Sequence, residues 1–186
     1  MAIKTAVILA DGFEEIEAVT IIDLLRRAGI TVAVLGLDSV DVRGSHEIYV
    51  IADAVVEDFK DPVDALILPG GTPGTGNLAQ SDRVLALVKE TFGKGKLCAA
   101  LCAAPTVLAK AGVLAGKKAT CYPGLEDRLE GAQFVSDAVV TDGNVITSRG
   151  AGTAIAFALA VVAYLTDENR ARTVADNILA PVVGAH

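Results

Sequence analysis

What most constrains this chain is a recurring alternation of short, apolar, β-rich runs with stretches of helical periodicity. Thr5 to Leu9 reads as a strand, Glu14 to Ala28 as a helix stopped by Gly29, and Thr31 to Leu35 as a second strand, together one βαβ unit. Asp64 to Leu68 is a further apolar strand, broken by Pro69-Gly70-Gly71, and Ser81 is placed to cap a helix running to Phe92 with Gly93 as its stop. Leu97 to Leu101 is apolar throughout, as suits a parallel strand covered by helices on both faces. Val139 to Thr141 and Val145 to Thr147 flank Asp142-Gly143-Asn144, which favours a hairpin with a three-residue loop, so an antiparallel pair joins the sheet. Thr153 is placed to cap an apolar helix to Leu165, and Thr166, Asp167 and Glu168 open a last helix that Pro181 closes. The pattern predicts an α/β fold with a mostly parallel sheet. With no repeat, linker or low-complexity segment, residues 1–186 read as one domain.

At 52% hydrophobic residues, a chain of this length can bury a sufficient core without disulfides or a structural metal. Its net charge of -7, with no basic cluster, would repel a phosphate backbone, so neither nucleic acid nor an anionic membrane is expected as a partner. The opening apolar run is not read as a signal peptide, because Asp11, Glu14, Glu15 and Glu17 follow where a small-residue cleavage site would lie. The longest apolar stretch, Ala154 to Leu165, falls short of the roughly 18 residues of a membrane span. Three cysteines cannot all pair and nothing marks secretion, so reduced thiols and a cytoplasmic location are expected.

Cys102 follows the apolar strand, and Ala103-Ala104-Pro105 then opens a helical pattern, which makes a strand-to-helix elbow. A lone cysteine in an apolar stretch is more often core packing. At the elbow, however, the thiol faces free backbone N–H groups and the positive end of a helix dipole, which favour thiolate. Ligands of open α/β sheets also bind at the carboxyl ends of strands. Glu17 aligns with Ile21, Leu24, Leu25 and Ala28 at helical spacing, so a carboxylate sits on an apolar stripe where desolvation raises its pKa. Glu14 and Glu15 are read as exposed residues that compensate the helix dipole.

Gly70 and Gly71 lack a Cβ, so their N–H groups can approach a substrate oxygen closely; an ordinary turn is the plainer account. The segment Gly71 to Gly76 lacks the Lys and Ser or Thr of a phosphate-binding loop and does not match the dinucleotide fingerprint. Cys98 reads as a small buried hydrophobe, and Cys121 as a resolving thiol for Cys102 if the two converge. The only histidines, His46 and His186, have no spacing that resembles a metal site, and no metal is expected.

The segments Leu9 to Glu17, Ile67 to Gly71, Ala99 to Pro105 and Thr147 to Thr153 together resemble the ThiJ/PfpI superfamily, in the branch of the parkinsonism-associated deglycase, in the right order across nearly the whole chain. The resemblance implies a flavodoxin-like three-layer sandwich, like that of class I glutamine amidotransferases, and a homodimer. It also implies that Cys102 is an oxidisable nucleophile, that Glu17 is an acid hydrogen-bonded to it, and that Gly70, Gly71 and Ala103 line an anion pocket. Arg27 matches an arginine near the pocket and dimer contact, and His46 stands where the branch often has another arginine. Tyr122 precedes Pro123 where better known members have histidine, and a phenol with a reference pKa near about 10 is no base at pH 7. Ala103 follows the nucleophile where the protease-like branch has histidine, which argues against peptide hydrolysis.

Two functions are thereby implied. The first is a cofactor-independent glyoxalase or deglycase acting on small dicarbonyls or glycated protein. The second is a stress-responsive sensor or chaperone whose Cys102 is oxidised to a sulfinate.

Overall fold

In the computed structural model, which describes residues 2–180, the elements run β1 (Lys4–Leu9), α1 (Glu15–Arg27), β2 (Thr31–Gly36), β3 (Asp41–Arg43), β4 (Tyr49–Ile51), β5 (Ala54–Val55), β6 (Ala65–Leu68), α2 (Thr72–Gln80), α3 (Asp82–Gly93), β7 (Leu97–Leu101), α4 (Pro105–Lys110), β8 (Lys118–Ala119), β9 (Gln133–Phe134), β10 (Val139–Asp142), β11 (Val145–Ser148), α5 (Ala154–Leu165) and α6 (Glu168–Asn177). A seven-stranded sheet has the order β10-β11-β7-β6-β1-β2-β5. All its pairings are parallel except β10 with β11 at one edge.

The central strands are apolar on both sides because successive side chains feed opposite layers. Val7, Leu9, Ile67, Ala99 and Leu101 pack with Ile21 and Leu25 of α1 and Phe157 of α5. Ala6, Ile8, Leu66, Leu68, Cys98 and Ala100 pack with Leu78 of α2, Val84 and Val88 of α3 and Leu108 of α4. Helices thus cover both faces, as continuous apolarity predicts, giving the three-layer, flavodoxin-like α/β sandwich that the family resemblance implies. Among the described residues, no helix is long and apolar enough to cross a membrane.

The structure corrects several local readings. The hairpin loop is two residues long, since Asp142 pairs with Val145, and Gly143 takes φ 59°, the glycine-first form that matches strand twist. Gly93 is the last residue of α3; the left-handed residue that follows the Lys94 cap is Gly95, at φ 70°. Thr153 makes no side-chain cap to α5, because its hydroxyl is turned back to Gly150 and Ser148. Thr72 to Gln80, to which no element is assigned from the sequence, is a helix entered through Pro73. Asp167 does cap α6, accepting from Arg170 N–H at 2.9 Å; Pro181, expected to close that helix, lies outside the described residues.

Four strands end side by side: β1, β6, β7 and β11. The loops that follow carry Asp11 to Glu14, Pro69 to Gly71, Cys102 to Ala104, and Arg149 with Gly150. Parallel strands have their carboxyl ends at one rim, so distant sequence segments converge there.

Candidate active site

Cys102 sits at φ 61°, one of three non-glycine residues with positive φ among those described. That conformation costs on the order of 1 kcal/mol or more. It is held by bonds on both sides: Cys102 N–H donates to Ser148 O at 2.9 Å, and Tyr122 N–H donates to Cys102 O at 2.8 Å. Pro105 stands in the first turn of α4, as expected of an elbow.

Glu17 comes from the buried face of α1 and is 0% exposed. Its Oε2 accepts from Gly70 N–H at 2.7 Å. Oε1 is buried without a hydrogen-bond partner of ordinary geometry, and the Cys102 thiol is the side chain that interacts with this carboxyl group. Burial raises its pKa to about 7, against the opposing effects of the Gly70 N–H and the thiol. A protonated carboxyl suits an oxygen with no donor aimed at it. Glu17 thus lies beside Cys102 on the same buried face of α1 as Ile21, Leu24 and Leu25.

Gly70 is placed differently from the expectation. Its N–H is engaged by Glu17, so it is not free for a substrate oxygen. Its requirement for glycine is spatial: a Cβ there would lie 2.5 Å from Cys102 Cβ and 2.7 Å from Glu17 Oε2. Gly71, at φ 95°, and Ala103 do present their N–H groups to the Cys102 sulfur.

The thiol itself departs from the sequence expectation of a stabilised thiolate. Burial, followed by the Glu17 carboxylate, pushes Cys102 up to about 12, and the Gly71 and Ala103 amides only partly oppose them. Desolvation outweighs two amide dipoles here, because α4 is short and begins only at Pro105. Burial also pushes Cys98 up to about 12 and Cys121 up to about 11. Access therefore distinguishes the three thiols: Cys98 and Cys121 are 0% exposed, whereas Cys102 is partly exposed. Cys121 packs in the α2/α3/α4 layer and Cys102 against the opposite one, while the Tyr122 N–H bond to Cys102 O brings the backbone beside Cys121 to the elbow.

Tyr122 is 53% exposed, with its ring over Gly150 at the same rim. Arg27 is not brought to the site within one chain; it pairs with Asp23 at 2.6 Å on the last turn of α1, about 15 Å along the helix from Glu17. His46 is directed to Glu15 instead of the thiol, with Nδ1 2.8 Å from Glu15 Oε2. Glu15, read as exposed, is buried. Burial alone would raise its carboxyl, but the His46 side chain and backbone N–H, with the Ser45 hydroxyl, hold it down at about 2. Glu14, Glu15 and His46 bring ligand-type atoms within 4.8 Å of one another, a grouping that spacing in the sequence did not indicate. The Glu15 oxygens and His46 Nδ1 are already bonded to each other and to Ser45, which makes this an ion-paired cluster.

The DJ-1/PfpI family model matches residues 3–164. The chain belongs to the DJ-1/PfpI family. Protein dj-1beta of Drosophila melanogaster is 42% identical over 183 residues, covering 96% of this chain and 98% of the relative. Its crystal structure superposes with a TM-score of 0.94 at 41% identity, over 97% of this chain and 100% of that one. The Parkinson disease protein 7 homolog of Danio rerio is 40% identical over 186 residues, covering 97% and 96% of the two chains. A Caenorhabditis elegans relative named glutathione-independent glyoxalase DJR-1.2 is 36% identical over 167 residues, covering 87% of this chain and 89% of its own. This DJ-1/PfpI chain thus carries the Cys102, Glu17 and Gly71 arrangement on a fold shared almost end to end with the Drosophila structure.

The Glu17 environment sets a pH-dependent stability. A carboxyl whose folded pKa lies near 7 binds its proton more tightly folded than unfolded, so stability falls as pH rises from the unfolded value of about 4.5 through about 7. Glu17→Gln keeps an acceptor for Gly70 and carries no charge. It should match the parent below about pH 4.5 and become more stable than it above about pH 7, by up to about 3 kcal/mol. Urea denaturation across that range measures the difference, and a pH-independent gap would remove the buried-proton account.

Proposed function

We propose that this chain is a cysteine-dependent, cofactor-independent enzyme acting on reactive dicarbonyls or early glycation adducts in stress protection. The observation that carries this reading is a buried carboxyl group, poised near neutral pH, against the one accessible thiol, with two backbone amides facing the same sulfur. The name of the Caenorhabditis elegans relative supports it.

With methylglyoxal, ionised Glu17 takes the thiol proton as Cys102 Sγ bonds to the aldehyde carbon. The carbonyl electron pair moves to oxygen, where the Gly71 and Ala103 amides stabilise it. Protonation of that oxygen by Glu17 completes a hemithioacetal. Transfer of the hydrogen on the former aldehyde carbon to the adjacent ketone carbon, as a proton through an enediol, with the hydroxyl proton passing to the ketone oxygen, converts it to a 2-hydroxy thioester. Water then cleaves the thioester to lactate and returns the thiol. The sum is dicarbonyl plus water giving a 2-hydroxy acid, with no net oxidation and no external cofactor. Tyr122 offers no imidazole at the rim, so proton transfer falls to Glu17.

A second reading is favoured by the burial of the other two thiols. Peroxide oxidises Cys102 to a sulfenic acid, and with the Cys98 and Cys121 thiols buried, a second peroxide carries it on to a sulfinate. In that case oxidation regulates a chaperone-like or partner-binding activity.

As partners we propose a small carbonyl compound or a glycated protein, and a second copy of the chain. Ile16 and Val19 of α1 and Ile48, Tyr49 and Ile51 around β4 are exposed beside a cleft of about 280 Å³ between these elements. Apolar side chains gathered in this way favour an interface.

Methylglyoxal loss assayed on purified protein should disappear in Cys102→Ala and fall about 10²- to 10⁴-fold in kcat/KM in Glu17→Gln. The parent profile should rise through about pH 7, as Glu17 ionises, and lose that limb in Glu17→Gln. Activity retained without Cys102 would refute the enzyme reading. After graded peroxide, intact mass should show two added oxygens on Cys102, while a Cys102–Cys121 disulfide would refute the sulfinate reading. Sedimentation should give a dimer that Ile51→Glu converts to monomer, and a monomeric parent would remove the second copy.

A further inference from the structure

Glu15 and Glu17 are the two buried carboxylates among the described residues, and only Glu17 faces Cys102. Glu15 points the other way, into the turn between β3 and β4. Its Oε1 accepts from His46 N–H at 2.5 Å, and its Oε2 lies 2.8 Å from His46 Nδ1 and accepts from Ser45 Oγ at 3.2 Å. The turn is shaped to receive it: a Cβ on Gly44 would lie 2.5 Å from the Glu15 carboxyl carbon.

Backbone bonds continue the contact. Gly12 N–H donates to Arg43 O at 2.7 Å, Ser45 N–H to Phe13 O at 2.8 Å, and Phe13 forms a bridge with Gly44. Arg43 N–H donates to Asp11 Oδ1 at 2.9 Å. The β1–α1 loop gripped on that side is bonded on its other side to the turn that carries the Gly71 amide. Glu14 N–H donates to Gly70 O at 3.0 Å, Gly74 N–H donates to Gly12 O at 3.2 Å, and a Cβ on Gly71 would overlap Gly12 O. The Glu14 side chain meanwhile caps α1 at Glu17 N–H, 2.8 Å away.

We propose that Glu15 and His46 form a clasp that holds the β3–β4 turn against the β1–α1 loop, and so positions the Gly71 amide and Glu17 around Cys102. Both are positioning residues, since neither touches the sulfur. The inference rests on the reading of Cys102 as the reacting group. Because the cation of the clasp is a histidine, its grip depends on pH. The charged groups facing His46 are Glu15 and Glu14 at the start of α1, while Arg43 and Glu47 of its own turn pair with each other. The hydrogen bond and charge of Glu15 raise the His46 pKa, and Glu15 itself stays ionised at every pH well above about 2. The charged clasp is thus fully present below the ordinary histidine value and lost as pH rises through the raised one. Above it, a neutral imidazole and the backbone N–H still hold Glu15, so the loop loosens without opening.

The test follows the rate of Cys102 alkylation by iodoacetamide, resolved by mass, from about pH 5.5 to about pH 9, around the histidine range. Parent, His46→Arg, His46→Gln and Glu15→Gln are compared after circular dichroism establishes equal folding; His46 is exposed, so its variants are the ones least dependent on folding. His46→Arg should match the parent at acid pH and react about three-fold faster than it at alkaline pH, the scale of a partly exposed charge pair. His46→Gln should be about three-fold slower at acid pH and converge with the parent at alkaline pH. Both changes should centre on the His46 pKa read by NMR in the parent. Ratios flat with pH in both variants, with Cys102 labelled first, would overturn the clasp alone. Labelling of Cys98 or Cys121 before Cys102 would overturn the nucleophile reading and the clasp's role together.

Discussion

Three backbone segments meet at Gly70 with no room for one further carbon. The Glu17 carboxyl lies on one side of it and the Cys102 side chain on the other, each closer than van der Waals contact to where a Cβ would stand. Gly70 also ties the segments together, since its N–H donates to Glu17 and its carbonyl accepts from Glu14 N–H. Helix α1, the turn after β6 and the elbow after β7 therefore cannot shift independently. The left-handed strain at Cys102 persists because these neighbours over-determine it.

The same closeness sets the electrostatics. Two acidic groups share a space from which water is largely excluded, and both are pushed toward their neutral forms. Two ionised groups side by side would be costly there, so a thiolate is best tolerated when Glu17 carries the proton. The helix-end dipole that marks Cys102 in the sequence is a smaller influence than this coupling. The reactivity proposed for Cys102 then comes from access and from a neighbouring proton acceptor.

Around this centre the acidic residues after β1 divide their tasks according to where α1 turns them. Glu14 caps the helix, Glu15 faces the β3–β4 turn, and Glu17, two positions on, faces the sheet. Adjacent side chains on a helix diverge by roughly 100°. Three carboxyl groups close in sequence therefore end in three environments, one of them strongly ionised and one protonated near neutrality.

The fold class was legible because it depends on local patterns. Apolar strands between periodic helices specify a covered parallel sheet, and the Asp142-Gly143 signal correctly marks the antiparallel edge although the loop is shorter than it suggests. Cys102 and Glu17 were legible for the same reason, one by its place at a strand end and the other by a polar residue on an apolar stripe. Helix α2 was hidden by its glycines, of which Gly74 packs closely against Gly12 and Phe13. The burial of Glu15, the engagement of the Gly70 N–H and the packing of Cys121 and Cys102 in different layers had no local signal. Each depends on segments brought together over distances such as the 31 residues between Glu15 and His46. By itself the sequence determined which residues lie at strand ends and on buried stripes, because the periods of strand and helix are properties of the backbone. Tertiary structure alone decided which of those residues touch, and hence where their protons reside, because desolvation and hydrogen bonding depend on neighbours supplied by distant parts of the chain.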